Sequence, residues 1–136
     1  MPASITTTPA AGAKAAIAAF ATSFASPPPR LVLFTATRDA ATGVPWCPDC
    51  ARSINGVRAA VGALKGSLLE VEVARPEWKD PGKPSPLRAE YGITGIPALV
   101  LLGEGGAAVE RVLGSALEGA GGDAEAEALV KGWVGK

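Results

Sequence analysis

Cys47 and Cys50 are the only thiols in this 136-residue chain, and just Pro48 and Asp49 separate them. A bridge across so short a loop constrains the unfolded chain little, so the pair is no structural staple. Two thiols at this spacing can cycle between dithiol and disulfide, provided one is a thiolate near neutral pH. Two other readings stay open on these residues alone. Four thiolates from two chains could hold zinc or a small iron–sulfur cluster, or the pair could be inert. The absence of histidine excludes a Ser–His or Cys–His nucleophile and any imidazole metal site.

The redox reading requires elements that present one sulfur and cover the other. Residues 31–36, Leu-Val-Leu-Phe-Thr-Ala, form a compact apolar run suited to a buried central strand. Residues 37–45 read as a polar loop containing Gly43 and Pro45. A helix then starts near Pro48, where the missing N–H costs nothing. Its buried stripe is Ile54, Val57, Val61 and Leu64, and Gly66 is the expected C-cap. Cys47 is thereby expected at the helix N-terminus, where unpaired N–H groups favour an anion, with Cys50 one turn inside. Cys47 is the candidate attacking thiol and Cys50 the resolving one. Trp46 is expected to pack beside the attacking sulfur and shield it partly from water. Asp49 suits a first helical turn, yet its charge opposes a nearby thiolate. Cys47 is therefore expected to be less acidic than in a strong oxidant, which favours a reductant.

The remaining elements frame this unit. Residues 4–7 suit a short edge strand. Thr8 and Pro9 then read as N-cap and first position of a helix with Ala13, Ile17, Phe20 and Phe24 on one face. A cleaved leader is the alternative for this alanine-rich segment, since residues 1–38 contain no Asp or Glu. Residues 68–74 alternate as a strand, with Leu69, Val71 and Val73 on one face and Glu70 and Glu72 on the other. A short helix over 85–91, strands over 98–102 and 108–113, and a helix from Asp123 complete the order βαβαβαββα. The last helix is expected to turn Ala126, Leu129, Val130, Trp133 and Val134 inward. This is an α/β pattern: a mixed central sheet flanked by helices on both faces, as one domain over residues 1–136. Gly56 and Gly62 inside the second helix each cost about 1 kcal/mol relative to Ala.

Composition excludes several partners. Thirteen basic and thirteen acidic residues give zero net charge without a basic patch, which argues against nucleic acid. No stretch approaches the roughly 20 apolar residues that span a bilayer, so no membrane partner is expected.

Trp46-Cys47-Pro48-Asp49-Cys50 resembles the motif of the thioredoxin domain-containing protein 17 family. Phe34-Thr35 through Arg38-Asp39-Ala40 resembles that family's lengthened connection into its dithiol. Trp78-Lys79-Asp80-Pro81 resembles its loop after the third strand, and Gly95-Ile96-Pro97 its cis-proline facing the dithiol. The resemblance implies a thioredoxin-like fold, with Cys47 as nucleophile, Cys50 as resolving cysteine, and Pro48 and Asp49 tuning the potential. Ile96, before Pro97, would pair its backbone with an extended substrate. It further implies reduction of selected protein disulfides or small disulfides such as cystine, with some peroxide reduction. Thioredoxin reductase would recycle the protein using NADPH indirectly, so no bound cofactor is expected beyond the redox-active disulfide, and no metal. A cytoplasmic monomer is the matching expectation. The competing class is a thioredoxin-fold binding module without turnover, or the inter-chain thiolate metal site.

One departure concerns the resolving thiol. Thioredoxins proper carry a buried Asp in the strand before the dithiol, whereas residues 31–36 contain no carboxylate. Asp49, Asp39 and Glu72 are the candidate substitutes, against the plainer reading of all three as solvated charges. Trp78, Lys79 and Asp80 read as a surface anchor and a solvated pair.

Overall fold

The computed structural model describes residues 4–9, 12–22, 29–39, 41–73, 91, 93, 95–103, 109–119 and 121–134; the side chains of Ser4, Asp49, Glu110, Ser115 and Glu118 fall outside that description. Five strands form one sheet: β1 (Ser4–Pro9), β2 (Arg30–Ala36), β3 (Ser67–Val73), β4 (Ala98–Leu102) and β5 (Val109–Leu113). Their order is β1-β3-β2-β4-β5. β3 pairs in parallel with both β1 and β2, while β4 runs antiparallel to β2 and to β5. The helices are α1 (Ala13–Thr22), α2 (Pro48–Leu64), the single turn α3 (Ser115–Glu118) and α4 (Asp123–Val134).

The central strands are apolar on both faces because both faces are covered. On one face, Val32, Phe34, Leu69, Val71 and Val100 pack against Ala13, Ile17 and Phe20 of α1 and against Tyr91 and Ile93. Leu31, Leu33, Leu68, Leu99 and Leu101 meet α2 and α4 on the other, through Val57, Val61, Ala126 and Val130. Gly56 allows those two helices to touch: a β-carbon there would overlap the Asp123 carbonyl and lie 2.6 Å from Ala126 Cβ. Thus the Gly56 expected only as a helix cost is a packing contact, whereas Gly62 has open space around it.

Four expectations require correction. Pro9 does not open α1; it ends β1, aligned with Glu72 of β3. An edge strand accepts a proline because no ladder bond needs its N–H there. Gly66 is not the residue that stops α2: Lys65 adopts the left-handed conformation at φ 55°, and Gly66 N–H bonds the Val61 carbonyl. Gly66 is instead required by Pro29, whose carbonyl oxygen would lie 2.5 Å from a β-carbon at that position. Trp133 is half-buried at the rim of its cluster rather than inside it. Finally, α3 breaks the run between β5 and α4, where no helix was expected. Phe24, the Trp78–Lys79–Asp80 segment and all of the 85–91 helix except Tyr91 lie outside the described residues.

Candidate active site

The chain leaves the end of β2 and folds back on itself before α2. Arg38 and Pro45 form an antiparallel bridge that closes the connection. Asp39 organises the turn: its Oδ1 accepts the Ala41 and Thr42 N–H groups at 2.8 and 3.1 Å, and its backbone oxygen accepts Gly43 N–H at 2.7 Å. Gly43 takes the positive φ of 72° that this reversal needs. The Asp39 carboxylate is thereby engaged in forming the turn.

Trp46 fixes the last step into the helix. Its indole N–H donates to the Val73 carbonyl at 3.0 Å, and its backbone N–H donates to Thr37 O at 3.3 Å. These bonds tie the residue before the dithiol to the carboxyl ends of β2 and β3. Cys47 then has extended dihedrals (φ −98°, ψ 117°) as the N-cap of α2, with Pro48 at the first helical position. Its carbonyl accepts Ala51 N–H at 3.1 Å, while its side chain does not cap the helix. The sulfur turns instead toward the loop before β4, where its S–H donates to the Ile96 carbonyl at 3.8 Å. That loop contains the cis Ile96–Pro97 peptide.

Both thiols are free, but their surroundings differ. Cys47 and Trp46 are half-buried against the α1-side core, whereas Cys50 is fully buried within it. Burial pushes the Cys50 thiol up to about 12, overriding the lowering effects of the Thr35 side chain and the Ala36 backbone; a bond with and the charge of Cys47 raise it further. One sulfur is thus reachable and the other is protected and protonated. That asymmetry suits an attacking and a resolving thiol.

The structure therefore brings Trp46, Cys47, Cys50 and Ile96 together, with Pro48 opening the helix between the sulfurs. Asp49 holds its place in the first turn of α2. Glu72 is engaged by Arg38: its Oε2 lies 3.8 Å from Arg38 Nε. Sequence reading overlooked Glu70, which is fully buried. Arg58 of α2 grips its carboxylate at 2.6 and 2.7 Å, Arg38 Nη2 adds a third contact at 3.1 Å, and Thr7 of β1 donates at 3.2 Å. Burial alone would raise this carboxyl, but the Arg58 bonds and the charges of Arg58 and Arg38 outweigh it and hold the group below its ordinary range. Strand alternation placed Glu70 opposite Leu69, and nothing in that pattern showed two guanidinium groups closing over it. Between α2 and the Arg38–Pro45 connection lies a cleft of about 470 Å³, running past Ala51 and Asn55 to these arginines.

Comparison with known proteins follows the same residues. Residues 14–118 match the thioredoxin domain of the thioredoxin domain-containing protein 17-like family. The chain belongs to that family. It is also 36% identical over 90 residues to the thioredoxin-like protein Clot of Oryza sativa subsp. japonica, covering 61% of this chain and 64% of that protein. To the Arabidopsis thaliana protein of the same name it is 31% identical over 72 residues, or 51% of this chain and 54% of that one. The chain thus spans less than two thirds of the length of either curated relative it matches. Membership carries the thioredoxin-like α/β fold and, in general, a thiol redox role.

Proposed function

We propose that this chain is a disulfide reductase that uses Cys47 as attacking thiolate and Cys50 as resolving thiol. The observation that carries the reading is the asymmetry of the pair: Cys47 at the N-terminus of α2, half-buried and facing the Ile96 carbonyl, and Cys50 fully buried one turn behind it.

The reaction has two balanced steps. Cys47 thiolate attacks one sulfur of a substrate disulfide, forming a mixed disulfide and releasing the first substrate thiolate. Cys50 sulfur then attacks Cys47 sulfur, closing the Cys47–Cys50 disulfide. The second substrate sulfur leaves and takes up the proton lost by Cys50. The order of events follows from electrostatics. While Cys47 carries charge, it raises the Cys50 thiol; once Cys47 is in a mixed disulfide that opposition vanishes, and the resolving step becomes easier. The Ile96 carbonyl, before Pro97, accepts from the Cys47 S–H, and Ile96 is the proposed backbone partner of an extended substrate. In the full cycle, thioredoxin reductase and NADPH return the disulfide to dithiol, in the cytoplasm, with protein disulfides or cystine as substrates and peroxide as a further oxidant.

Reduction of insulin and of cystine, coupled to NADPH oxidation through thioredoxin reductase, tests this reading. Turnover with at least one substrate is expected, with Cys47→Ser inactive and Cys50→Ser accumulating a covalent mixed disulfide. Equal residual activity in both variants, or no turnover with either substrate, contradicts it.

A further inference from the structure

Thr35 is one of the groups that act on the Cys50 thiol. It lies in the central strand β2, fully buried, in register with Glu72 of β3. Its Oγ1 is the sole buried side-chain oxygen or nitrogen among the described residues without a hydrogen-bond partner. A buried hydroxyl left unpaired costs about 1–3 kcal/mol, so such an atom on a central strand calls for a reason. Cys50 supplies one. The Thr35 hydroxyl lies close enough to that thiol to favour its ionised form, although no bond of good geometry joins them in the resting dithiol. The Ala36 backbone N–H acts on Cys50 in the same direction.

We propose that Thr35 donates its O–H to Cys50 Sγ as negative charge develops there during the resolving step, forming with Ala36 N–H a two-donor cradle for the thiolate. The hydroxyl is idle against a neutral thiol and is recruited by the anion, which explains why a buried donor is left unpaired in the resting state. The inference rests on the reductase reading and adds to it the residue that makes the second step feasible.

Other groups near this face are accounted for. Glu72, the register neighbour of Thr35, is paired with Arg38, and Glu70 is closed off by Arg58 and Arg38. Tyr91 shares the core of Cys50 but packs its ring on Phe34 at 5.4 Å. Besides burial, Thr35, Ala36 and Cys47 act on the Cys50 thiol. Thr35 transfers no proton in this account. The proton of Cys50 leaves with the departing substrate sulfur, and the hydroxyl only stabilises the charge that appears between.

The test loads Cys47 with thionitrobenzoate from the aromatic disulfide DTNB and follows release of the second thionitrobenzoate, which reports attack by Cys50. A charge-assisted hydrogen bond predicts that Thr35→Val slows this release by roughly tenfold near neutral pH and moves its pH midpoint up by about one unit. Thr35→Ser should restore both. Because the hydroxyl holds nothing together at rest, Thr35→Val should melt no lower than the parent. An unchanged rate and midpoint in Thr35→Val overturns the proposal, and so does failure of that variant to fold. Absence of a second release from the parent protein would instead overturn the reductase reading. The donor role is then decided by Cys50 thiolate absorbance in Cys47→Ala with and without Thr35→Val: a higher pKa without the hydroxyl supports it, and equal values exclude it.

Discussion

At the scale of single residues, the two sulfurs differ through their surroundings and not through their chemistry. Cys50 is buried and held protonated up to about 12, against an ordinary value of 9.0. Its folded-state pKa is raised, so its contribution to stability is complete below about 9 and is lost as pH climbs toward 12. The disulfide form has no such thiol. Urea unfolding at about pH 8 and about pH 10.5 should therefore show a larger alkaline loss for the reduced protein than for the oxidised one. Equal losses would mean that Cys50 is not protected as described. The dithiol itself was legible in the sequence, because strand, loop, proline and helix follow in the order that places a thiol at a helix N-terminus. Thr35 and Glu70 were not. A threonine in an apolar strand reads as filler, and a glutamate on an alternating strand reads as solvent-facing. Their roles come from Cys50 and from two arginines that are close only in the fold.

Among the elements, α2 carries the site and is held by different means at its two halves. Gly56 lets it press against α4, while a β-carbon at Gly62 would meet open space. Gly62→Ala should raise stability by about 1 kcal/mol, and Gly56→Ala should lower it by about 1–3 kcal/mol, measured by chemical denaturation. A stabilising Gly56→Ala would contradict the close helix contact. The second anchor is Glu70, whose partners come from α2, the connection before it and β1. Arg58 and Arg38 are each about a third exposed, which moderates their worth. Glu70→Gln should cost roughly 2–3 kcal/mol at neutral pH. The stabilisation from this carboxylate is present above the ordinary range near 4.5 and is lost as pH falls through its lowered value. Acid unfolding should consequently be shallower in Glu70→Gln; an identical acid limb would remove Glu70 as an anchor. Element boundaries were legible where hydrophobic period was strong, as in β4 and α4. They failed where two signals competed. Pro9 fits a helix start by local rule, but pairing with β3 claims it for the sheet. Gly66 fits a helix stop, but contact with Pro29 claims it, and Lys65 takes the left-handed turn instead.

For the molecule as a whole, the redox couple is an equilibrium between two folded states, and the same features set its balance. A reductase requires that the reduced state lack the strong thiolate stabilisation that makes a dithiol oxidising. The two guanidinium groups that line the cleft beside α2, Arg38 and Arg58, are paired with Glu70 and Glu72. The whole sheet contributes by bringing the carboxyl ends of β2 and β3, the start of α2 and the loop before β4 to one place. The reduction potential of the Cys47–Cys50 couple, from equilibration in defined redox buffers, tests this account most directly. A value below about −220 mV, in the range of cytosolic reductants, is expected. A value near −120 mV, characteristic of a disulfide donor, would contradict it.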